Sequence, residues 1–147
     1  MNKLAVVAVI IIVAAAGFAA GFYFPKGGVV EKTIPPPPTL KTGIYKLEGF
    51  NRADSAEPNY LGKVSIQKTG KVYKLQWAIG DVQNQRGVGI LSGSTLSVGY
   101  VDISGGDIND TGVVSYLLIE NGKLEGEWSS VLSNQTGREI LTLEEER

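Results

Sequence analysis

The stretch Tyr60–Gly80, YLGKVSIQKTGKVYKLQWAIG, reads as a single β-hairpin and sets the pattern for the rest of the chain. Tyr60, Gly62, Val64 and Ile66 take every second position before Thr69-Gly70, and Tyr73, Leu75, Trp77 and Ile79 do so after it. Lys63, Ser65, Gln67, Lys74 and Gln76 fill the gaps. A period of two means one apolar face and one wet face, which is a half-buried strand pair.

The same alternation extends in both directions. Upstream, Tyr45, Leu47 and Gly49 share one face while Lys46 and Glu48 share the other. Downstream, Gly87, Gly89 and Leu91 lead into Ser92-Gly93-Ser94, and Leu96, Val98 and Tyr100 lead out. Val114, Tyr116 and Leu118 precede Asn121-Gly122, a strong two-residue hairpin signal, and Leu124, Gly126 and Trp128 follow it. A last strand is read over Ile140–Leu143. The expected fold is all-β: an antiparallel up-and-down meander of about eight strands, enough to close a small barrel. Gly49, Gly62, Gly87, Gly89 and Gly126 stand in phase with the inward residues, so aromatic rings are expected to lie over bare backbone there.

Ahead of this domain, Leu4 to Phe24 runs for 21 positions without a charged side chain, roughly 31 Å as a helix at ~1.5 Å per residue. Residues 4–24 are therefore read as one transmembrane signal-anchor helix, with residues 1–3 cytoplasmic and the remainder facing the periplasm. Lys3 favours that orientation, and Phe22-Tyr23-Phe24 supply an interfacial aromatic belt. A cleaved signal peptide ending near Ala14-Ala15-Ala16 is the competing reading, but the apolar run continues past it. Residues 25–41, with Pro35-Pro36-Pro37-Pro38, form a stiff linker, and 42–147 form the barrel domain.

Composition narrows the chemistry. The 147 residues include no cysteine and no histidine, which removes thiolate nucleophiles, disulfides, Cys/His zinc sites and the side chain best suited to proton transfer near neutral pH. An enzyme is not expected, nor is a cofactor or metal. Residues 41–147 carry 11 basic and 14 acidic side chains, and a mildly acidic domain is a poor partner for nucleic acid.

Gly43-x-Tyr45-x-Leu47-x-Gly49-x-Asn51, Tyr60-x-Gly62-x-Val64-x-Ile66, Gly70-x-x-Tyr73-x-Leu75-x-Trp77, Gly87-x-Gly89, Leu96-x-Val98-Gly99 and Leu124-x-Gly126-x-Trp128 together resemble a group of small exported bacterial β-proteins. Some of that group carry a fibronectin-binding-like label and most have no assigned role. The resemblance covers Gly43 to about Leu143 and implies a β-barrel, but it brings no catalytic residues with it. An adhesion role is implied only through the group's label, and it requires release from the membrane.

Three candidate sites follow. Tyr45, Tyr60, Tyr73, Trp77, Tyr100, Tyr116 and Trp128 share the inward phase and are expected to line the barrel interior. So narrow an interior is expected to be filled; the alternative, a small apolar ligand held at one open end, requires a cavity of several hundred Å³. Asp102, Asp107, Asn109 and Asp110 gather calcium-type oxygen ligands in one loop, yet their spacing matches no EF-hand, and a solvated polar loop is the better reading. On the outer face, Val88, Ile90, Val113, Leu117 and Ile119 form an apolar surface with Ser97 and Gly99 as a small-residue valley. Such patches mark contact sites, and the alternatives are that Val29, Val30 or Ile34 of the linker folds back over this one or that the barrel is an open sandwich. The leading functional expectation is thus a non-catalytic, membrane-anchored barrel that binds a protein partner through this face, as an accessory subunit of a membrane complex on the outer side of the bacterial inner membrane. Membrane lipid is expected to contact residues 4–24.

Overall fold

The computed structural model describes residues 38–147, and the expected anchor helix and most of the linker lie outside them. Eight strands follow one another along the chain: β1 (Gly43–Phe50), β2 (Tyr60–Thr69), β3 (Val72–Ile79), β4 (Gln83–Ser92), β5 (Thr95–Asp102), β6 (Asp110–Ile119), β7 (Lys123–Ser130) and β8 (Gly137–Glu146). Each pairs antiparallel with the next, and β8 pairs with β1, so the sheet closes in the order β1 to β8. Closure leaves no free edge for another strand to pair with. Among the described residues no helix is long and apolar enough to cross a membrane.

Closure needs a tight seam between β1 and β8. The register slips between Ile44 and Tyr45, which face Glu145 and Leu143, so Glu144 is the extra residue of a bulge. Gly43 sits at this seam with φ 147°, and a β-carbon there would run into the Glu145 carbonyl. The seam therefore requires glycine.

The period-two reading holds throughout. Tyr45, Leu47, Val64, Ile66, Tyr73, Leu75, Trp77, Leu96, Val98, Tyr100, Val114, Tyr116, Leu118, Leu124 and Leu141 are buried in one core, with Tyr60 and Trp128 packed against it. That core reaches back to Leu40, which is buried at the end where the chain enters the barrel, and the Tyr45 hydroxyl donates to the Lys41 carbonyl beside it at 2.7 Å.

The rings over glycine are a property of register. Gly49 stands directly opposite Tyr60, Gly112 opposite Tyr100, Gly126 opposite Tyr116 and Gly137 opposite Trp128. At each of these four glycines a β-carbon would collide with the ring across from it. Each ring occupies the volume that its partner leaves empty, so bulky aromatic side chains fit inside a narrow barrel.

Two local expectations change. The Asn121-Gly122 hairpin has a three-residue connection, Glu120–Gly122, with Ile119 opposite Lys123 and positive φ at Asn121 (64°) and Gly122 (73°). The last strand begins at Gly137, three residues ahead of the expected Ile140. The second difference matters for the site.

Candidate functional site

The two ends of the barrel are built from different residues at equivalent inward positions. At the end holding the β2–β3, β4–β5 and β6–β7 turns, the inward residues are Tyr45, Ile66, Tyr73, Leu96, Leu118 and Leu141, and the interior is filled. At the opposite end they are Gly49, Gly62, Gln83, Gln85, Gly87, Gly112, Ser130 and Gly137, alternating with the rings. The Tyr60, Tyr100 and Trp128 rings fill the space over Gly49, Gly112 and Gly137, and the rings, Gln83, Gln85 and Ser130 surround the space that remains. A cavity of about 620 Å³ opens at this end between the β1–β2 and β7–β8 loops.

Two asparagines hold the mouth in shape. Asn59 accepts from the Asn51 backbone N–H through its side-chain oxygen at 2.8 Å, while its own N–H donates to the Gly49 carbonyl at 2.7 Å. Arg138 lies over the Phe50 ring on the outer wall, 4.1 Å from the ring centroid, and donates to the Ser55 carbonyl at 3.3 Å. These contacts pin the β1–β2 loop to β8.

The cavity walls are aromatic and amide-rich: Tyr60, Trp77, Tyr100 and Trp128 together with Asn51, Asn59, Gln83, Gln85, Asn134 and Gln135. Both tryptophans of the chain stand on it. Among the described residues its charged lining consists of Glu139 and Asp110, with no lysine or arginine.

Glu139 is the residue that the sequence reading missed. It projects inward from β8, opposite Gly49 on one side and Gly126 on the other, and is 4% exposed. The two flanking glycines seat the Tyr60 and Tyr116 rings, whose hydroxyls reach the carboxyl. Tyr116 donates its hydroxyl to Oε2, the Trp77 indole N–H reaches Oε2 at 3.3 Å, and the Tyr60 hydroxyl reaches Oε1 at 3.1 Å. Trp77 also reaches the Tyr116 oxygen at 3.3 Å, so the three donors and the carboxyl form one network across β2, β3, β6 and β8.

Burial pushes the Glu139 carboxyl above its ordinary 4.5, and the hydrogen bonds from Tyr116, Tyr60 and Trp77 offset only part of that. The same burial, reinforced by the neighbouring Glu139 charge, pushes the Tyr116 and Tyr60 hydroxyls well above an ordinary phenol. Tyr100 is pushed up to about 12 by burial and by the charges of Asp110, Glu139 and Asp102. The phenols thus stay protonated over any ordinary pH range and remain donors. Among the described residues the Trp128 indole N–H, buried beside the Tyr60 hydroxyl, has no hydrogen-bond partner.

The loop read as polar and solvated differs from that reading at Asp102. Asp102 is buried at the end of β5 and accepts from the Ser104 N–H at 2.8 Å, the Ser104 hydroxyl at 2.5 Å and the Gln83 amide at 2.9 Å. Burial raises this carboxyl, but the three donors outweigh it and hold it below its ordinary value. Among the described residues no three acidic, histidine or cysteine side chains converge as a metal site.

The seven inward aromatics divide between the two ends. Tyr60, Trp77, Tyr100 and Trp128 line the cavity, Tyr116 closes its floor through Glu139, and Tyr45 and Tyr73 belong to the filled end. The expectation of a uniformly filled interior holds for one half only.

The outer stripe is present. Val88, Gly99 and Val113 form one cross-strand row, and Ile90, Ser97 and Ser115 the next. Val88, Ile90, Val113 and Leu117 are 49–64% exposed, whereas Ile119 is half-buried at the end of β6. A β-carbon at Gly99 would meet open space.

A closed eight-stranded antiparallel barrel with a side-chain-filled end and an open end belongs to the class of small β-barrels with room for one small ligand. Among solved structures, the apo form of lipid binding protein 8 from Caenorhabditis elegans is similar, with a TM-score of 0.44 and 10% sequence identity over 70% of this chain and 94% of that one. A likeness at that level carries no function across. No family model matches the chain, and no curated protein is similar to it.

Proposed function

We propose that this protein is a non-catalytic small-molecule-binding barrel, held by its N-terminal apolar segment on the outer side of a bacterial inner membrane. The observation that carries the reading is the one-ended cavity of about 620 Å³, within the several-hundred-Å³ scale of small-ligand sites. Its walls combine ring faces with amide and hydroxyl groups, which suits a compact ligand with both apolar and polar parts rather than a purely apolar chain. Membrane attachment rests on the length and apolarity of residues 4–24.

The accessory-subunit reading rests on the Val88, Ile90, Val113 and Leu117 stripe, and nothing in the described chain says what covers it. The cavity, by contrast, has a shape and a chemistry of its own, and it favours ligand binding as the primary role.

Because both tryptophans line the cavity, their two indole N–H resonances report on it without background. A fragment screen followed by nuclear magnetic resonance is expected to give compounds that move both signals saturably. Val114→Phe, which fills the cavity wall, is expected to abolish those shifts. The reading fails if no fragment moves either signal, or if the shifts survive in Val114→Phe.

A further inference from the structure

The cavity is unusual in its charges. A fully enclosed carboxyl stands at its floor and a second acid, Asp110, stands in its wall, yet among the described residues no basic group lines the cavity to answer either of them. The groups facing Glu139 are Tyr60 from β2, Trp77 from β3, Tyr100 from β5 and Tyr116 from β6, while β1 and β7 present Gly49 and Gly126. Gln85 of β4 and Trp128 of β7 complete the surrounding wall. None of these can neutralise a carboxylate.

An isolated ion in such a place is costly unless a counter-charge arrives. An anionic ligand would bring a further negative charge into a site that already holds two acids, so carboxylates and phosphates are disfavoured. A cation would meet Glu139 ahead of it and ring faces beside it, and both attract positive charge. Room for that contact exists: Oε1 receives only the Tyr60 hydroxyl, whereas Oε2 receives both Tyr116 and Trp77.

We infer that the ligand is a small organic cation, an amine with an apolar or ring-shaped body, whose charged nitrogen docks at Glu139 among Tyr60, Trp77, Tyr100 and Trp128. This deepens the small-molecule-binding reading and rests on it. When Glu139 is protonated beforehand, binding transfers its proton to solvent: the carboxylic acid and the ammonium ion become a carboxylate–ammonium pair plus one released proton. No bond other than the O–H is broken.

Three probes of nearly equal shape test the inference: benzylammonium, benzyl alcohol and benzoate. Each is titrated against the protein while the two indole N–H signals are followed, and calorimetry in two buffers of different ionisation enthalpy counts released protons. Benzylammonium is expected to bind about tenfold or more tightly than benzyl alcohol, with benzoate weakest, because only the cation gains both the carboxylate and the ring faces. Proton release is expected to grow as pH falls toward the range where free Glu139 is protonated. Glu139→Gln is expected to bring benzylammonium down to the level of benzyl alcohol, with alcohol binding retained as the sign of an intact cavity. Asp110→Asn, farther out, is expected to weaken the cation by a smaller factor.

If benzyl alcohol binds as tightly as benzylammonium, or if Glu139→Gln leaves the preference intact, the cation assignment is overturned while ligand binding stands. If none of the probes moves either indole signal at saturating concentration, the binding reading falls and the assignment with it.

Discussion

The filled and open ends of this barrel share the same strands, pairing and period, yet one is a core and the other a vessel. The difference lies in what stands at successive inward positions of each strand. On β1 the inward residues pass from Tyr45 and Leu47 to Gly49; on β3 from Tyr73 and Leu75 to Trp77 and Ile79; on β8 from Leu141 to Glu139 and Gly137. Leucine and valine fill the barrel where they face one another. Glycine facing a ring leaves the ring seated and the axis open. A gradient of side-chain volume along the barrel axis therefore makes a pocket without any change of fold.

The sharpest way to break that contrast is to remove matched volume from the two ends. Leu141→Ala, in the filled half, is expected to cost about 2–5 kcal/mol of unfolding free energy, because the surrounding side chains cannot collapse into the hole. Ile79→Ala, beside the open cavity, is expected to cost about 1–2 kcal/mol, since water already has access to the space it vacates. Denaturant titration of both variants checks this, and equal losses would mean that the two halves are packed alike.

Adding volume probes the ring–glycine pairs. Gly126→Ala presses a β-carbon against the Tyr116 ring and is expected to cost about 1–3 kcal/mol and to disturb the Glu139 network. Gly99→Ala, on the outer valley where there is open space, is expected to be neutral or stabilising by up to about 1 kcal/mol.

The pH response separates the two buried acids. Glu139 has a raised folded-state value, so its contribution is complete below its ordinary 4.5 and is lost as pH rises through the folded value. Glu139→Gln is expected to remove that decline and to make the protein more stable than the parent at neutral pH. Asp102 behaves in the opposite sense: its value is lowered, so its stabilisation is present above its ordinary 3.8 and is lost as pH falls through the lowered value. Asp102→Asn is expected to cost about 0.5–1.5 kcal/mol at neutral pH, because Gln83 and Ser104 lose only part of their bonding. Chemical denaturation at a ladder of pH values measures both.

Much of the barrel was legible in the chain. Alternation in Tyr60–Gly80 and its counterparts placed seven aromatics inside and the Val88–Leu117 stripe outside, because a strand allows each side chain only one of two directions. Of the in-phase glycines, Gly49 and Gly126 carry rings as expected, whereas Gly62 and Gly89 face backbone and aliphatic side chains, and the other two ring seats, Gly112 and Gly137, were not among the expected positions. Glu139 escaped because the last strand was read from Ile140; the run Gly137, Glu139, Leu141, Leu143 carries the same period and sets a carboxyl among inward residues. Asp102 looked like a solvated loop residue because its donors, Gln83 and the Ser104 N–H and hydroxyl, come partly from another hairpin.

The order of apolar and polar residues along the chain, by itself, determined an antiparallel meander, its inner and outer faces and the absence of histidine and cysteine chemistry. Only the tertiary structure decided that one end is open, because which ring is seated over Gly49, Gly112 or Gly137 depends on the strand that the register sets opposite. It alone made Glu139 a buried acid held by three hydrogen-bond donors, since those donors come from strands distant in sequence and meet only when the sheet closes.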